Sequence, residues 1–176
     1  AVAVPNAFSS AAAAVFLYLN LSDATPEVTI DYSDDGASYG VGQSIQALGD
    51  VNGDGIDDFA VGDAYYDGGP SGTLVALYVH YGTDTSTPSF GAPDLTITPD
   101  ASSGGNLQYF PWGIASGDFN GDDTTDVAAK PLVFESGAMQ GTEGIHVYHG
   151  GENFDGTPEE TLAIPARPLD AIGYME

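Results

Sequence analysis

Two stretches decide the fold of this chain: Asp50-Val-Asn-Gly-Asp-Gly-Ile-Asp-Asp58 and Asp118-Phe-Asn-Gly-Asp-Asp-Thr-Thr-Asp126. The second begins 68 positions after the first, and both carry side-chain oxygens at positions 1, 3, 5 and 9. Each follows an apolar stretch that ends in Gly-Asp, and each precedes a short run of strand-forming residues. A repeated loop in a repeated setting indicates that the chain is built from copies of one structural unit.

The segments around the two acidic loops predict the strands of that unit. Apolar and β-branched residues bounded by glycine, proline and aspartate are typical of short strands. Such runs precede the loops at 41–50 and 110–118, and follow them at 59–64, 73–81 and 95–98 and at 127–132, 144–149 and 161–164. Four short antiparallel strands in each unit describe one blade of a β-propeller.

The register of the repeat divides the chain into four parts. We expect 1–40 to be the C-terminal part of one blade, 41–109 and 110–171 to be complete blades, and 172–176 to begin another. The sequence therefore predicts an all-β propeller segment with partial blades at both ends. Such a segment is either a piece of a longer polypeptide or one of several chains whose blades assemble together.

Composition excludes several classes of partner. The chain has 26 acidic residues against two basic ones, Lys130 and Arg167, and a formal net charge of −24. Nucleic acids and anionic membrane surfaces need a basic patch, so neither is an expected partner. The apolar run 11–19 is too short to span a bilayer and is interpreted as a strand, which predicts no direct membrane insertion.

The same acidity suggests a setting for the protein. Carboxylates in such excess repel one another at low ionic strength, and abundant salt screens that repulsion. The composition therefore resembles that of proteins from extreme halophiles, with an acidic secreted protein from ordinary medium as the alternative. The chain has no cysteine, which excludes disulfides, zinc–thiolate sites and cysteine nucleophiles.

Each acidic loop predicts a calcium site, because calcium prefers a flexible shell of six to eight oxygen ligands. The expected ligands in the first loop are the side chains of Asp50, Asn52, Asp54 and Asp58 and the backbone carbonyl of Ile56. The equivalent ligands in the second loop are Asp118, Asn120, Asp122 and Asp126 and the carbonyl of Thr124. We expect calcium here to join strands and neutralise carboxylates, which is a stabilising role.

The sixth position of each loop must make a sharp turn. Gly55 suits that turn, and Asp123 replaces the glycine in the second loop, where aspartate tolerates positive φ better than most residues. An EF-hand would share the first six positions but needs an acid at position 12, where Val61 and Ala129 stand. The EF-hand is therefore excluded.

Together, the loops and their flanks resemble FG-GAP repeats of the integrin alpha-chain type. The resemblance is carried by Val41-Gly42-Gln43-Ser44-Ile45, the loop 50–58, the run 60–62 and the strand 75–82. Val41 replaces the phenylalanine of the FG motif, Pro111 replaces its glycine in the second repeat, and the GAP position reads Gly62-Asp-Ala. The resemblance implies a calcium-binding β-propeller used outside cells, or at their surface, for adhesion or ligand binding.

Two further groups are candidate sites. Successive turns of a blade alternate between its two rims, so Tyr65-Tyr66-Asp67 is expected on the rim opposite the acidic loops. By the resemblance this rim faces ligands, and these residues are a candidate contact for a protein or glycan; cover for a neighbouring blade is the alternative. Asn20 begins an Asn-Leu-Ser sequon and is a candidate glycosylation site.

No residue pattern predicts catalysis. The histidines, His80, His146 and His149, fall in or beside expected strands, and no nucleophile elbow or phosphate-binding glycine loop is present. We therefore expect a binding protein and no enzyme within this chain. Two other functions stay open: a structural subunit or fragment of a surface layer, filament or virion, and a propeller module of a secreted polysaccharide-acting enzyme.

Overall fold

The computed structural model describes residues 14–18, 25–26, 28–32, 41–63, 75–84, 89–99, 107–135, 138–140 and 144–163. All regular elements in these ranges are β-strands, so the prediction of an all-β chain is confirmed. In the same ranges, no helix is long and apolar enough to cross a membrane.

Within these described ranges, eleven strands form three antiparallel sheets. They are β1 (Ala14–Leu17), β2 (Val28–Asp31), β3 (Val41–Gly49), β4 (Asp58–Asp63), β5 (Ala76–His80), β6 (Leu95–Ile97), β7 (Leu107–Gly117), β8 (Asp126–Glu135), β9 (Ala138–Gln140), β10 (Ile145–Tyr148) and β11 (Glu160–Leu162).

We call the sheets N-terminal, middle and C-terminal. The N-terminal sheet contains β1 and β2, and the middle sheet is the sequential meander β3-β4-β5-β6. The C-terminal sheet repeats that meander as β7-β8-β10-β11, with β9 added beside β8. The four strands predicted around each acidic loop, one before it and three after it, are thus paired in the predicted order.

The two central strands of the middle sheet, β4 and β5, are covered on both faces, which explains why every residue in them is buried. Side chains alternate across a strand, so neighbouring residues enter different cores. Ala60, Leu77 and Val79 pack into the core shared with the C-terminal sheet. Val61 and Tyr78 pack into the core shared with the N-terminal sheet. The described sheets therefore stack face against face, with the middle sheet between the other two.

The middle and C-terminal sheets also meet along their first strands, β3 and β7. The Ser116 hydroxyl donates to the Ala47 carbonyl over 3.2 Å, and Phe110 and Val127 contribute fully buried side chains to the shared core. Near the acidic loops, Gly151 N donates to the Val51 carbonyl over 2.8 Å. The first loop is thus fixed to a turn of the next sheet.

The first strands of the middle and C-terminal sheets, β3 and β7, depart from regular pairing in the same way. In β3, two extra residues lie between the pairs Val41–Asp63 and Ser44–Gly62, and β7 has two extra residues between Tyr109–Leu132 and Gly113–Lys130. The Phe110–Pro111 peptide bond in this part of β7 is cis. A further one-residue bulge at Leu48 makes the first segment one residue longer than its copy.

The C-terminal sheet contains strand structure beyond the predicted bounds. β8 continues past the expected end at 132 to Glu135 and pairs with β9 over Ala138–Gln140. In the same sheet, β7 begins at Leu107, three positions before the expected repeat boundary at 110.

Candidate metal centre

The first acidic loop is organised by the carboxylate of Asp50. Its Oδ1 accepts hydrogen bonds from Gly53 N (2.8 Å) and Asp54 N (3.0 Å), and its Oδ2 accepts one from Gly55 N (2.9 Å). Aspartate side chains commonly bond the backbone a few residues on in this way. The chain is therefore wrapped around one carboxylate directly after β3.

The third and fifth positions continue this arrangement. Asn52 Oδ1 accepts from Asp54 N (3.0 Å), while Asn52 Nδ2 donates to Asp54 Oδ2 (3.0 Å). Asp54 Oδ1 in turn accepts from Ile56 N (2.8 Å). The structure thus brings together the expected ligands at loop positions 1, 3 and 5.

The second loop reproduces these contacts one for one. Asp118 Oδ1 accepts from Gly121 N (2.7 Å) and Asp122 N (3.1 Å), and its Oδ2 accepts from Asp123 N (3.1 Å). Asn120 bonds Asp122 through both its amide atoms, and Asp122 Oδ1 accepts from Thr124 N (2.8 Å). Two loops of partly different sequence therefore have one hydrogen-bond pattern.

The sixth position has the expected conformation in both loops. Gly55 has a φ of 87°, and Asp123 has a φ of 66° in the left-handed region. Asp123 is the only non-glycine residue with positive φ in the described part of the chain. The interpretation that aspartate preserves the turn is confirmed.

The carboxylate at the ninth position, which was expected only as a calcium ligand, also bonds backbone amides from two parts of its sheet. Asp58 is 2% exposed; its Oδ2 accepts from Val51 N (2.9 Å) and its Oδ1 from Gly82 N (2.8 Å). Asp126 is 0% exposed and accepts from Phe119 N (2.8 Å) and Gly150 N (3.0 Å). Each carboxylate joins the start of its loop to the turn after the third strand of its sheet.

Charge in the loops is only partly compensated by these contacts. Burial raises the pKa of Asp58, and the nearby Asp54 carboxylate raises it further, against the lowering effect of the bonds from Gly82 and Val51. Hydrogen bonds from Asn120 and Thr124 lower the pKa of Asp122. The charge interaction with His149 lowers this pKa further. Lys130, the one lysine or arginine among the described residues, lies further along β8.

The donor set fits calcium by its chemistry. Each loop offers carboxylate, amide and carbonyl oxygens, which are the ligands that hard cations favour, and contains neither sulfur nor imidazole. Across the ranges given above, no three His, Cys, Asp or Glu side chains gather in one metal-binding group. One of the three ligands at positions 1, 3 and 5 is an asparagine, and the carboxylate at position 9 accepts hydrogen bonds from backbone N–H groups. Calcium would therefore share the side-chain oxygens of each loop with the backbone N–H groups that already bond them.

A pair of turn-capping acids was missed in the sequence. Asp94 Oδ2 accepts from Tyr81 N, and Glu159 Oε2 accepts from His149 N, both over 2.8 Å. Their own amides donate to Val79 O and Val147 O, both over 3.0 Å. The recurrence of an aromatic residue followed by glycine, at 81–82 and 149–150, was the available signal for these turns.

The remaining candidates lie outside the described residues. These are Tyr65, Tyr66 and Asp67, expected on the opposite rim, and Asn20 of the sequon. Their assignments stay predictions.

Comparison with known proteins adds no support to the resemblance to FG-GAP repeats, which rests on the acidic loops and their flanking strands. The sequence matches no model of a protein family, and no curated protein is significantly similar to it.

Proposed function

We propose that this chain is a calcium-stabilised segment of a β-propeller, used outside the cell or at its surface for adhesion or ligand binding. The observation that carries the proposal is the duplicated loop, in which two different sequences have the same hydrogen-bond pattern. Selection for one geometry at two places is expected when both loops perform the same task.

Calcium is the ion that fits this task. Asp50, Asn52, Asp54, Asp58 and the Ile56 carbonyl would hold one ion, and the equivalent residues of the second loop would hold another. A bound divalent cation would neutralise carboxylates that have no basic residue beside them in the loop sequences. Asp58 and Asp126 would then connect the ion to the turns at Gly82 and Gly150.

The stack of sheets supports the propeller part of the proposal. In the middle sheet, Ala60, Leu77, Val79 and Ile97 form the face that packs on the C-terminal sheet. The strand registers place Ala128, Ile145, Val147 and Leu162 at the equivalent positions of the C-terminal sheet. This second apolar face is suited to a further blade, from the same or another polypeptide.

A calcium titration tests the proposal. The demetallated chain would be titrated calorimetrically in molar salt up to millimolar calcium, since extracellular calcium modules bind at roughly 10⁻⁴ to 10⁻³ M. Two bound ions and a higher melting temperature are expected. Absence of calcium binding in the folded chain would refute the metal assignment.

Matched variants sharpen the titration. Asp54→Asn alters an expected ligand, whereas Asp57→Asn removes an equal charge from an exposed residue of the same loop that is not in the ligand set. Asp54→Asn should weaken one of the two binding events, and Asp57→Asn should retain both. Equal effects from the two variants would mean that calcium responds only to net charge.

The exposed side chain of Leu162 on this second apolar face also favours a second function, that of a subunit in a larger assembly. Leu162 is 51% exposed, although its register equivalent Ile97 is only 2% exposed. An open sheet face of this kind can pack on another chain in a surface layer or filament. Concentration-dependent sedimentation into ordered oligomers would favour this function over a monomeric receptor.

A further inference from the structure

A small notch lies between the first strands of the middle and C-terminal sheets. Its lining residues are Gln43 and Ser44 of β3 and Pro111 and Trp112 of β7, and its volume is about 220 Å³. We propose that this notch, the Trp112 notch, binds a neutral saccharide ring. The inference names a ligand class for the ligand-binding function proposed above, but it uses neither the acidic loops nor calcium.

The notch is formed where both strands depart from regular pairing. Gln43 lies within the irregularity of β3, and Pro111 and Trp112 lie within the matching irregularity of β7. Bulges turn side chains away from the directions that a regular strand imposes, and they often occur at binding sites. Trp112 in this irregular part of β7 is 50% exposed, an unusual placement for a large apolar side chain.

The lining combines the groups that a sugar ring requires. An indole has an electron-rich face, which attracts the C–H groups on the apolar face of a pyranose. The Gln43 amide can donate to and accept from ring hydroxyls, and the exposed position of Gln43 leaves its side chain within reach of solvent. One aromatic surface with a few polar groups is the usual composition of a small-molecule site.

Ser44 supplies a second polar group. Its Oγ is buried and has no hydrogen-bond partner within the described part of the structure. It lies against Gly62, whose Cα leaves no room for a side chain between Ser44 and Pro111. Buried hydroxyls are seldom left unpaired, and rotation of this side chain toward the notch would let a ligand hydroxyl pair with it.

Size and charge narrow the ligand class. The volume is below the roughly 300–1,000 Å³ of sites for drug-sized molecules, so one ring fits rather than a long ligand. A chain with a net charge of −24 repels uronic acids and sulfated sugars. A proline-rich peptide would need a groove with several aromatic residues, whereas Trp112 is the only aromatic residue among the described residues that line the notch.

The notch is distant from the acidic loops. Asp50 directly follows β3 and lies six positions beyond Ser44, which corresponds to about 20 Å of extended strand. Saccharide binding and calcium binding can therefore be measured as independent events. A failure of one assignment does not remove the other, provided that the chain is folded.

The experiment uses the single tryptophan of the chain as its reporter. Trp112 fluorescence would be followed while the folded chain, with and without calcium, is titrated with glucose, galactose, N-acetylglucosamine and cellobiose. Galacturonate serves as the acidic comparison, glycerol as the osmolyte control and a polyproline peptide as the competing ligand class. We expect a saturable emission change with at least one neutral sugar and a Kd on the order of 1 mM.

Variants then locate the binding. Because Trp112→Ala removes the reporter, its affinity is measured by calorimetry or ligand-observed NMR, and we expect a loss of about tenfold or more. Gln43→Ala and Ser44→Ala should each weaken binding by about three- to tenfold. Phe119→Ala is the matched control, since Phe119 is 51% exposed but does not line the notch, and it should retain the affinity of the parent chain.

Three results would overturn the inference: no response to any neutral sugar by the folded chain, binding that survives Trp112→Ala, or binding of the polyproline peptide without sugar binding. Calcium binding without sugar binding would reject the notch and leave the acidic loops intact. Sugar binding without calcium binding would support the notch and reject the metal assignment.

Discussion

Asp58 and Asp126 occupy equivalent buried positions, and each accepts a hydrogen bond from a glycine amide 24 residues further along the chain. The partners are Gly82 and Gly150, in the turns after the third strands of the middle and C-terminal sheets. The other oxygen of each carboxylate accepts from the backbone near the start of its own loop. One side chain thus connects three points of each sheet.

The first prediction concerns this connection. In Asp58→Asn or Asp126→Asn, the amide keeps one acceptor oxygen, and its NH₂ group faces a backbone N–H that it cannot satisfy. We expect the free energy of unfolding to fall by about 1–3 kcal/mol for each variant, because a buried donor is left unpaired. Urea denaturation without calcium measures this loss.

Asp57→Asn is the control for that experiment, since Asp57 is exposed in the same loop and loses the same charge. Its unfolding free energy should stay within about 0.5 kcal/mol of the parent value. If all three variants gain stability equally, charge repulsion dominates and the bonds to Gly82 and Gly150 contribute little.

The second prediction concerns the two turn glycines. A Cβ on Gly82 would collide with the Asp57 carbonyl and Ile56, and a Cβ on Gly150 would collide with the Thr125 carbonyl. Because these obstacles include backbone, Gly82→Ala and Gly150→Ala should each lower the unfolding free energy by about 1–3 kcal/mol.

Gly91→Ala provides the comparison in the same urea experiment. Nothing lies within 4 Å of a Cβ at Gly91, so this variant should be neutral or gain up to about 1 kcal/mol. Tolerance of alanine at all three positions would show that the turns adjust easily and do not fix the acidic loops.

The sequence predicted much of the fold because the repeat is visible in the positions of its glycines and aspartates. The strands of the middle sheet were predictable from apolar runs bounded by turn residues, and they pair as expected. The positive φ of Asp123 was predictable from its position in the repeated loop. Continuous burial at 58–63 also agrees with strands that are covered on both faces. The propeller itself, in contrast, stays a prediction.

The features that escaped prediction depend on contacts between distant segments. The bonds from Gly82 to Asp58 and from Tyr81 to Asp94 form only when the third strand has paired with its neighbours. The Trp112 notch needs irregularities in two strands that are far apart in sequence. The β8–β9 hairpin extends beyond 132, the expected end of its strand, and its pairing joins residues that were not predicted as strands.

The third prediction concerns alkaline pH. Tyr148 is 1% exposed, and burial, followed by the nearby Glu159 carboxylate, raises its pKa above the ordinary value of 10.0. The unfolded chain then loses this proton at a lower pH than the folded chain. Stability from Tyr148 is therefore complete below about pH 10 and declines above it, by up to about 1.4 kcal/mol per pH unit.

Tyr148→Phe removes this contribution, so its unfolding free energy should fall less steeply than that of the parent chain between about pH 10 and pH 12. Tyr18→Phe, at a half-buried tyrosine beside β1, controls for the loss of a hydroxyl elsewhere. Urea denaturation across this pH range measures the slopes. Identical slopes for the parent and Tyr148→Phe would contradict the burial argument.

The last prediction compares Ile97 with Leu162, which pair with Leu77 and Ile145 at the same register of the two sheets. Ile97 is 2% exposed and would contact a Cβ placed on Gly156, whereas Leu162 is 51% exposed. Ile97→Ala should therefore cost about 2–5 kcal/mol of unfolding free energy. Leu162→Ala should cost less than about 0.5 kcal/mol in the monomer.

The difference turns Leu162 into a probe of what covers the C-terminal sheet. If another sheet packs there, Leu162→Glu should leave the monomer folded but weaken association, because it places a charge in an apolar contact. Sedimentation velocity across a range of protein concentrations measures that association, with Glu160→Gln on the same strand as the control. A parent chain that stays monomeric at every concentration would mean that copies of this chain do not cover the face, and would leave a further blade of a longer polypeptide, or a blade of a different one, as its partner.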